Sequence, residues 1–473
     1  MAEISKSFLN SMLKVVYDNS GVANDKYQAS QMLSDIKKET FPIGEEFRYA
    51  ACVGDGGNFG SSYEMMSNNP TDGARYLQWA MKQGHVAGLF YSSMIGELLT
   101  DNDKKAYMDE LAANMSACYS GTSRTLATFL FGGITGAVDT IQEEITVSQL
   151  TGVKIKLTSA GLMKLDQGSR IVFASAGATD KAIATSPLVA NGAYATVTKL
   201  LEDGVEVTFQ SAFTGLTIYK GDFIELYTAR RGNKYLGIEG LPDLVPVIHN
   251  DRDESDSDWT NYIASDFRGV DRSQAVSRLA GQFVKAASTG DYRYADALQA
   301  LLKKGKKAGN RSSEIKIVIN DDKFDELEKE LRTNMWQSVN GATGKIGKTV
   351  GTNEIAVAFE DAFTNKLYVD PYCWYDKAYM YRPYDFSFAD LGGVASKVTS
   401  PVGNESEGKA GIEAVGRQGF GSKISSEINV DKLFTVIPNG AKDDDGPLFE
   451  ITAHIFGNFK SKETIANGVA VLD

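Results

Sequence analysis

From about residue 145 to residue 228 the sequence alternates apolar and polar residues in short runs. Val153, Ile155 and Leu157 form one such run, Val205, Val207 and Phe209 another, and Leu216 and Ile218 a third. Successive side chains of a strand face opposite sides of a sheet, so these runs read as half-buried strands. Turn-forming residues recur between them at Gly161, Gly168, Gly192, Glu202-Asp203-Gly204 and Lys220-Gly221-Asp222. Strands punctuated this way form a small antiparallel β domain or insertion. The rest of the chain has to fold around it.

The flanking sequence changes period. From Asp101 to Tyr119 the apolar residues Met108, Leu111, Met115 and Cys118 fall at steps of three and four, which puts them on one helix face. Asp101 and Asp103 stand where the helix dipole favours acidic groups. The first 40 residues carry two shorter amphipathic patterns, Phe8, Met12 and Val16, then Tyr27, Met32 and Ile36, separated by Asp18-Asn19-Ser20-Gly21. Such a segment must pack its apolar face on something else, such as a neighbouring subunit. Phe47 to Val53 and the apolar residues near Tyr76 to Phe90 read as two strands flanking a long projecting loop. That loop opens on Gly54, Asp55, Gly56, Gly57, Asn58 and Phe59. It misses the dinucleotide pattern G-x-G-x-x-G because Phe59 stands where the third glycine belongs.

Beyond the β stretch, helical spacing runs through Ala275, Leu279, Phe283 and Val284, and again through Ala295, Leu298 and Leu302. The second of these helices ends in Lys303, Lys304, Lys306 and Lys307, cations placed at the negative end of the dipole. A strand at Ile315 to Ile319, a helix from Phe324 towards Trp336, and strands at Ile355 to Phe359 and Ala378 to Tyr381 follow. Residues 401–424 read as a glycine-rich surface loop, and Leu448 to Phe456 as an alternating final strand. The acidic stretch Asp251 to Asp258 reads as a solvated loop. Asp251, Asp253 and Glu254 could meet the lysine cluster of another subunit, although a solvated helix end is the plainer reading, since exposed ion pairs contribute only about 0–1 kcal/mol each.

Chemical signatures are sparse. His85, His249 and His454 are far apart and outside any H-E-x-x-H pattern, and Cys52, Cys118 and Cys373 form no C-x-x-C pair. Neither a metal site nor a disulfide framework is expected, and three dispersed cysteines suit a reducing compartment. No G-x-S-x-G elbow is present. Ala342-Thr343-Gly344-Lys345-Ile346-Gly347-Lys348-Thr349 satisfies a relaxed phosphate-loop pattern. A true one leaves a strand and enters a helix, whereas here a helix precedes and a strand follows. A hairpin-like connection is the expectation, with a nucleotide-binding enzyme as a minor alternative. The start of the chain lacks a basic stretch before an apolar core, and the longest apolar-rich run, Leu126 to Val138, is too short to span a bilayer, so no signal peptide and no membrane association are expected. The formal net charge is -12. An acidic surface repels phosphate, which argues against tight nucleic-acid binding. No cofactor and no catalytic residues are expected.

Taken in order, these segments resemble the Hong Kong 97-type major capsid fold of tailed bacteriophages, from about residue 45 to the end. An N-terminal arm leads to a glycine-bearing extended loop, then to Lys105-Ala106-Tyr107-Met108-Asp109-Glu110-Leu111, which resembles the family's spine helix. Gly237-Ile238-Glu239-Gly240-Leu241 is similar to the glycine-leucine step that opens the second half of such proteins. Tyr294 to Leu331 resembles the axial domain, as does Val369 to Tyr379 leading to Arg382-Pro383 and Phe386. Gly457-Asn458-Phe459 through Asn467-Gly468-Val469-Ala470 resembles the closing strand of the peripheral domain.

The resemblance implies an α+β chain divided into an N-terminal arm at 1–45, an extended loop at 46–95, the spine helix and peripheral domain at 96–147, an inserted β domain at 148–228, an axial domain with connecting segments at 229–440, and a C-terminal peripheral strand at 441–473. It implies a structural, non-enzymatic virion protein. Copies would form hexamers and pentamers of an icosahedral shell around double-stranded DNA, without gripping that DNA tightly. Assembly would take place in the host bacterial cytoplasm, with portal, scaffolding and head-decoration proteins as partners. The loop at 54–75 would lie across a neighbouring subunit. Some members crosslink through a loop lysine. This chain has none between Lys38 and Lys82, so no such crosslink is expected, and retention of the N-terminal segment is expected too. An encapsulin-type compartment shares the fold and is the nearest alternative, and a β domain that binds host glycan is another.

Overall fold

The computed structural model describes residues 30–40, 46–54, 75–82, 84–93, 120–174, 193–231, 234–235, 237–245, 257–264, 266–287, 289–290, 293–307, 315–338, 356–358, 364–390, 434–443, 446–461 and 464–472. The helical reading around Met108 and the phosphate-loop look-alike at Ala342 to Thr349 lie outside them.

In chain order the elements are α1 (Gln31–Asp35), β1 (Lys37–Thr40), β2 (Glu46–Gly54), β3 (Arg75–Lys82), β4 (Gly84–Ser93), α2 (residues 120–132), β5 (Ala137–Thr140), β6 (Ile145–Thr146), β7 (Val153–Lys156), α3 (Ser159–Lys164), β8 (Arg170–Ala174), β9 (Ala195–Leu200), β10 (Gly204–Phe209), β11 (Thr217–Ile218) and β12 (Phe223–Leu226). There follow β13 (Arg230–Arg231), β14 (Lys234–Tyr235), α4 (Leu241–Leu244), α5 (Ser257–Ala264), β15 (Asp266–Phe267), β16 (Val270–Asp271), α6 (Val276–Leu279), β17 (Gln282–Lys285), α7 (Arg293–Lys307), β18 (Lys316–Ile319) and α8 (Asp321–Ser338). The chain continues through β19 (Ala356–Ala358), β20 (Thr364–Val369), β21 (Lys377–Tyr381), β22 (Phe386–Asp390), β23 (Phe434–Asp443), β24 (Gly446–Ser461) and β25 (Gly468–Val471).

Three larger sheets organise these strands. One is antiparallel, in the order β5-β12-β8-β9-β10-β7. Val205, Val207 and Phe209 of β10 are buried while Glu206 and Thr208 are half-buried, as the alternation requires. A second sheet runs β17-β25-β21-β18-β20-β19 and mixes parallel with antiparallel pairs. It is covered by α7, whose Ala297, Leu298, Leu301 and Leu302 are buried. The third joins β1, β22, β24 and β23, with β4 also paired to β24. Helix α2 is buried nearly all round, at Leu126, Ala127, Thr128, Phe129, Leu130 and Phe131. This accounts for its continuous apolar run, which a core helix carries as readily as a membrane one.

Three segments depart from the sequence reading. Helix α6 stops at Leu279, and Phe283 and Val284 belong to strand β17, paired in parallel with Val469 and Ala470. Both are buried, and a short run of consecutive apolar residues does not distinguish a helix turn from a core strand. The run from Leu448 is not the last strand. It belongs to the 16-residue β24, and β25 follows in a different sheet, so the residues after 441 are shared between two sheets. Asp258, read as loop, lies in α5.

The step at Gly237 to Leu244 packs directly on the end of α2. A Cβ at Gly240 would lie 2.1 Å from the Phe129 carbonyl oxygen, and one at Gly237 would lie 2.4 Å from the Phe129 ring. Only hydrogen fits at either place. Residues 30–36 are equally integral. Ser30 Oγ donates to Asp370 Oδ2 at 2.6 Å and the Met32 amide donates to the same oxygen at 3.1 Å, while Met32, Leu33 and Ile36 are buried.

Candidate functional site: the root of a two-stranded ribbon

Strands β2 and β3 pair antiparallel from Glu46↔Lys82 to Gly54↔Arg75, and among the described residues they form a sheet with each other alone. At the root the ribbon is sunk into the body: Met81 and Trp79 are buried, and the Tyr49 and Trp79 rings stack at 6.3 Å. Further out the cover ends. Leu77 on the same face is half-buried, and Tyr76 on the opposite face is 62% exposed. Gly54 is the last residue of β2, where the register shifts after Cys52. Asp55, Gly56, Gly57, Asn58 and Phe59 lie outside the described residues.

One side chain holds the root. Arg268 sits in the tight turn between β15 and β16 with φ 52, followed by Gly269 with φ 78. A left-handed conformation is unfavourable for a side chain with a Cβ, and it persists where surrounding contacts fix it. Three side-chain hydrogen bonds are among them. Nε donates to Glu239 Oε2 at 2.7 Å, Nη1 to the Tyr49 hydroxyl at 2.8 Å, and Nη2 to the Phe459 carbonyl at 2.5 Å. The Arg268 carbonyl accepts from the Ala80 amide at 2.7 Å. A single residue therefore grips both ribbon strands, β24 and the glycine-leucine step.

Asn458 repeats the pattern. Its Nδ2 donates to the Lys82 carbonyl and to Glu239 Oε2, each at 3.1 Å, and its Oδ1 accepts from the Glu239 amide at 2.9 Å. Lys460 lies over the Tyr49 ring at 5.2 Å. Burial works against the Arg268 charge, but Glu239 and Tyr49 outweigh it and hold the guanidinium ionised. Burial also pushes the Tyr49 hydroxyl up, partly offset by Arg268, so it stays a neutral phenol. A charged fork bound to one carboxylate and two neutral oxygens is a fastening, and its planar donor set suits three acceptors fixed in direction.

The sequence reading does not single out Arg268. The signal available was Phe267-Arg268-Gly269-Val270, an x-Gly turn between two apolar residues, which is hairpin chemistry. Lys303 is exposed on α7, Lys304 Nζ donates to the Phe283 carbonyl at 2.7 Å, Lys306 is half-buried, and Lys307 ends the helix. Asp251, Asp253 and Glu254 lie outside the described residues. Among the described residues no cluster of three or more His, Cys, Asp or Glu side chains could hold a metal ion, and no helix is long and apolar enough to cross a membrane.

No protein-family model matches the sequence, and no curated protein matches it. Solved structures do align along nearly the whole chain. One is from the cyanophage A-1(L) capsid asymmetric unit, with 10% identity, 97% of each chain covered and a TM-score of 0.48. Another is from the capsid of a native GTA particle, with 9% identity, 97% of this chain and 96% of that one covered, and a TM-score of 0.42. A third is from the capsid of Myoviridae phage XM1, with 8% identity, 97% and 96% covered, and a TM-score of 0.38.

Proposed function

We propose that this chain is a major capsid protein of Hong Kong 97 type, which assembles with copies of itself into the hexamers and pentamers of an icosahedral phage head around double-stranded DNA. The ribbon β2–β3 carries the reading. An isolated two-stranded ribbon is marginally stable in water, because half of its backbone pairing and most of one face lack a partner. This one leaves the body beyond Trp79 and yet is fastened at its root by a buried guanidinium. A rigidly aimed strand pair that, among the described residues, shares its sheet with no third strand is suited to be completed by another surface, and in a shell that surface is the adjacent subunit. The order of segments in the sequence supports the same reading, and five of the six strands of the antiparallel sheet, β7, β8, β9, β10 and β12, fall within the residues 148–228 read as an inserted β domain. The formal charge of -12 suits a wall that does not grip the enclosed DNA.

Electron microscopy of the purified recombinant protein, beside its size-exclusion profile, tests the proposal. Closed shells, rings or sheets of hexamers are expected, alone or on co-expression with scaffolding protein. A protein that stays monomeric with its scaffold present, and binds ATP through Lys348, would overturn it.

A further inference from the structure

A cleft of about 470 Å³ opens between α7, α8 and the turn before β21, lined by Arg293, Tyr294, Lys323, Glu326, Lys329 and Tyr375. Part of the lining is a closed network. The buried Lys323 ammonium lies over the Tyr294 ring at 4.7 Å and the Tyr375 ring at 4.4 Å, and donates to Glu326 Oε2 at 2.9 Å. The same carboxylate accepts from the Tyr375 hydroxyl at 2.5 Å and the Tyr294 hydroxyl at 3.2 Å. Burial works against its charge, but the hydrogen bonds from Tyr375 and Lys323 outweigh it and keep Glu326 ionised. Arg293 is placed differently. Its guanidinium lies over the Tyr294 ring at 4.3 Å and its Nη2 donates to the Tyr294 hydroxyl. Among the described residues no carboxylate lies within ion-pair distance of it, and its other side-chain N–H groups make no hydrogen bond. Glu330 of α8 accepts instead from the Tyr294 amide at 3.2 Å, at the start of α7. Lys329, exposed on α8, lines the same cleft.

We propose that this cleft is a phosphate-binding site, in which Arg293 takes two oxygens of a phosphate group and Lys329 takes a third. A guanidinium seated on a ring and lacking a carboxylate is ready for an oxyanion from outside, because its planar fork matches two oxygens at once. A carboxylate would have both of its oxygens used by that fork. A tetrahedral phosphate keeps further oxygens for a second cation, so the pair of Arg293 and Lys329 favours phosphate over an acidic side chain. The space suffices: a water molecule takes about 30 Å³ of liquid, so 470 Å³ holds a phosphate together with a group that carries it. Free phosphate, a small phosphate ester and a nucleic-acid backbone share this chemistry. The site belongs to the subunit and does not rest on the shell reading.

Equilibrium dialysis of the full-length protein against radiolabelled inorganic phosphate, at constant ionic strength, tests it. One phosphate per chain should bind. Arg293→Gln should weaken binding by at least about tenfold, the effect of losing a charge-assisted hydrogen bond. Lys329→Gln should weaken it as well, whereas Lys303→Gln, towards the other end of α7, should not. Absence of phosphate binding by the wild type would overturn the proposal, and so would equal binding by folded Arg293→Gln or displacement of the phosphate by equimolar acetate. Should Arg293→Gln fail to fold, the exposed Lys329 decides, because unchanged binding in Lys329→Gln places the phosphate elsewhere and overturns the proposal too. A single-stranded DNA oligonucleotide that displaces the phosphate identifies a nucleic-acid backbone as its source, and one that does not identifies free phosphate or a small ester.

Discussion

The Trp374 indole donates its Nε1 hydrogen to the Phe131 carbonyl at 2.5 Å, which ties the turn before β21 to the last turn of α2. The Lys164 and Lys377 ammonium groups lie over the same ring at 4.8 and 4.7 Å, and Phe223 of β12 meets it edge-on at 6.3 Å. Trp374 is therefore the point where the antiparallel sheet β5–β12 is docked on the sheet that holds β21. Replacing it with phenylalanine leaves the Phe131 carbonyl without this donor, which should cost about 1–3 kcal/mol. Alanine adds a cavity and should cost about 3–5 kcal/mol. Urea midpoints of the two variants check both values, and equal midpoints would show that the lost hydrogen bond, not the cavity, sets the cost there.

Glycines at Gly240 and Gly168 should respond in opposite ways to alanine. At Gly240 the new methyl would meet the Phe129 and Leu130 carbonyl oxygens at 2.1 and 2.5 Å, and backbone cannot move aside cheaply, so Gly240→Ala should fail to give folded protein. Gly168 has φ 87 with nothing within 4 Å of its would-be Cβ, so only the left-handed strain applies, about 1–2 kcal/mol. Soluble yield and thermal midpoint separate the two. A folded Gly240→Ala protein would mean that the step does not pack on α2 as described.

Arg268→Lys should keep the charge and lose the fastening. An ammonium can reach one or two of Glu239, Tyr49 and the Phe459 carbonyl, whereas the planar fork serves all three. The variant should fold, with a stability lower by about 1–3 kcal/mol, and should fail to form closed shells because the ribbon is no longer aimed. Arg268→Ala strands Glu239 in the interior and should cost about 3–5 kcal/mol. Circular dichroism and electron microscopy of Arg268→Lys distinguish a folding defect from an assembly defect.

How far the sequence reaches is visible at these same positions. The alternation of Val205, Val207 and Phe209 marked a strand because period two survives wherever one sheet face is buried. The spacing of Ala295, Leu298 and Leu302 marked α7 for the corresponding reason. Phe283 and Val284 misled because they are adjacent apolar residues in a strand whose buried run Gln282-Phe283-Val284 shows no alternation. Arg268 was invisible because its partners Tyr49, Glu239 and Phe459 are distant in sequence and of ordinary type. Its importance comes from a turn conformation and three directions, neither of which a periodicity carries. Gly237 and Gly240 stand out in the sequence as a step, but the reason for them, contact with α2, lies in the packing.

Removing the Ser30 hydroxyl should loosen the N-terminal segment without unfolding the body. Ser30 Oγ both accepts from the Leu33 amide, as the cap of α1, and donates to the buried Asp370. Ser30→Ala removes both bonds and should lower stability by about 1–2 kcal/mol. Limited proteolysis should then cut within residues 30–40 faster than in the wild type. Unchanged cleavage would show that Met32, Leu33 and Ile36 hold the segment by burial alone.

Lys164 gives a pH dependence in which stability rises with pH. Its ammonium is 3% exposed as a residue, donates to the Val138 carbonyl at 3.0 Å and lies over Trp374. Burial lowers its pKa to about 8, and the nearby Asp139 only partly opposes this. The unfolded chain keeps the lysine proton up to its ordinary range near 10.5, so between about 8 and 10.5 the unfolded state binds more protons than the folded one and stability rises with pH. Below about 8 both states are charged and the folded state bears the full cost of a buried ammonium. Measured against Lys164→Met, the wild type should therefore gain on the order of 2–3 kcal/mol as pH rises across that window. Denaturant midpoints of the two proteins at pH 7.5, 9 and 10.5 supply the comparison. A constant difference would mean that the Lys164 amine reaches solvent at the sheet junction and is not sealed there by Trp374.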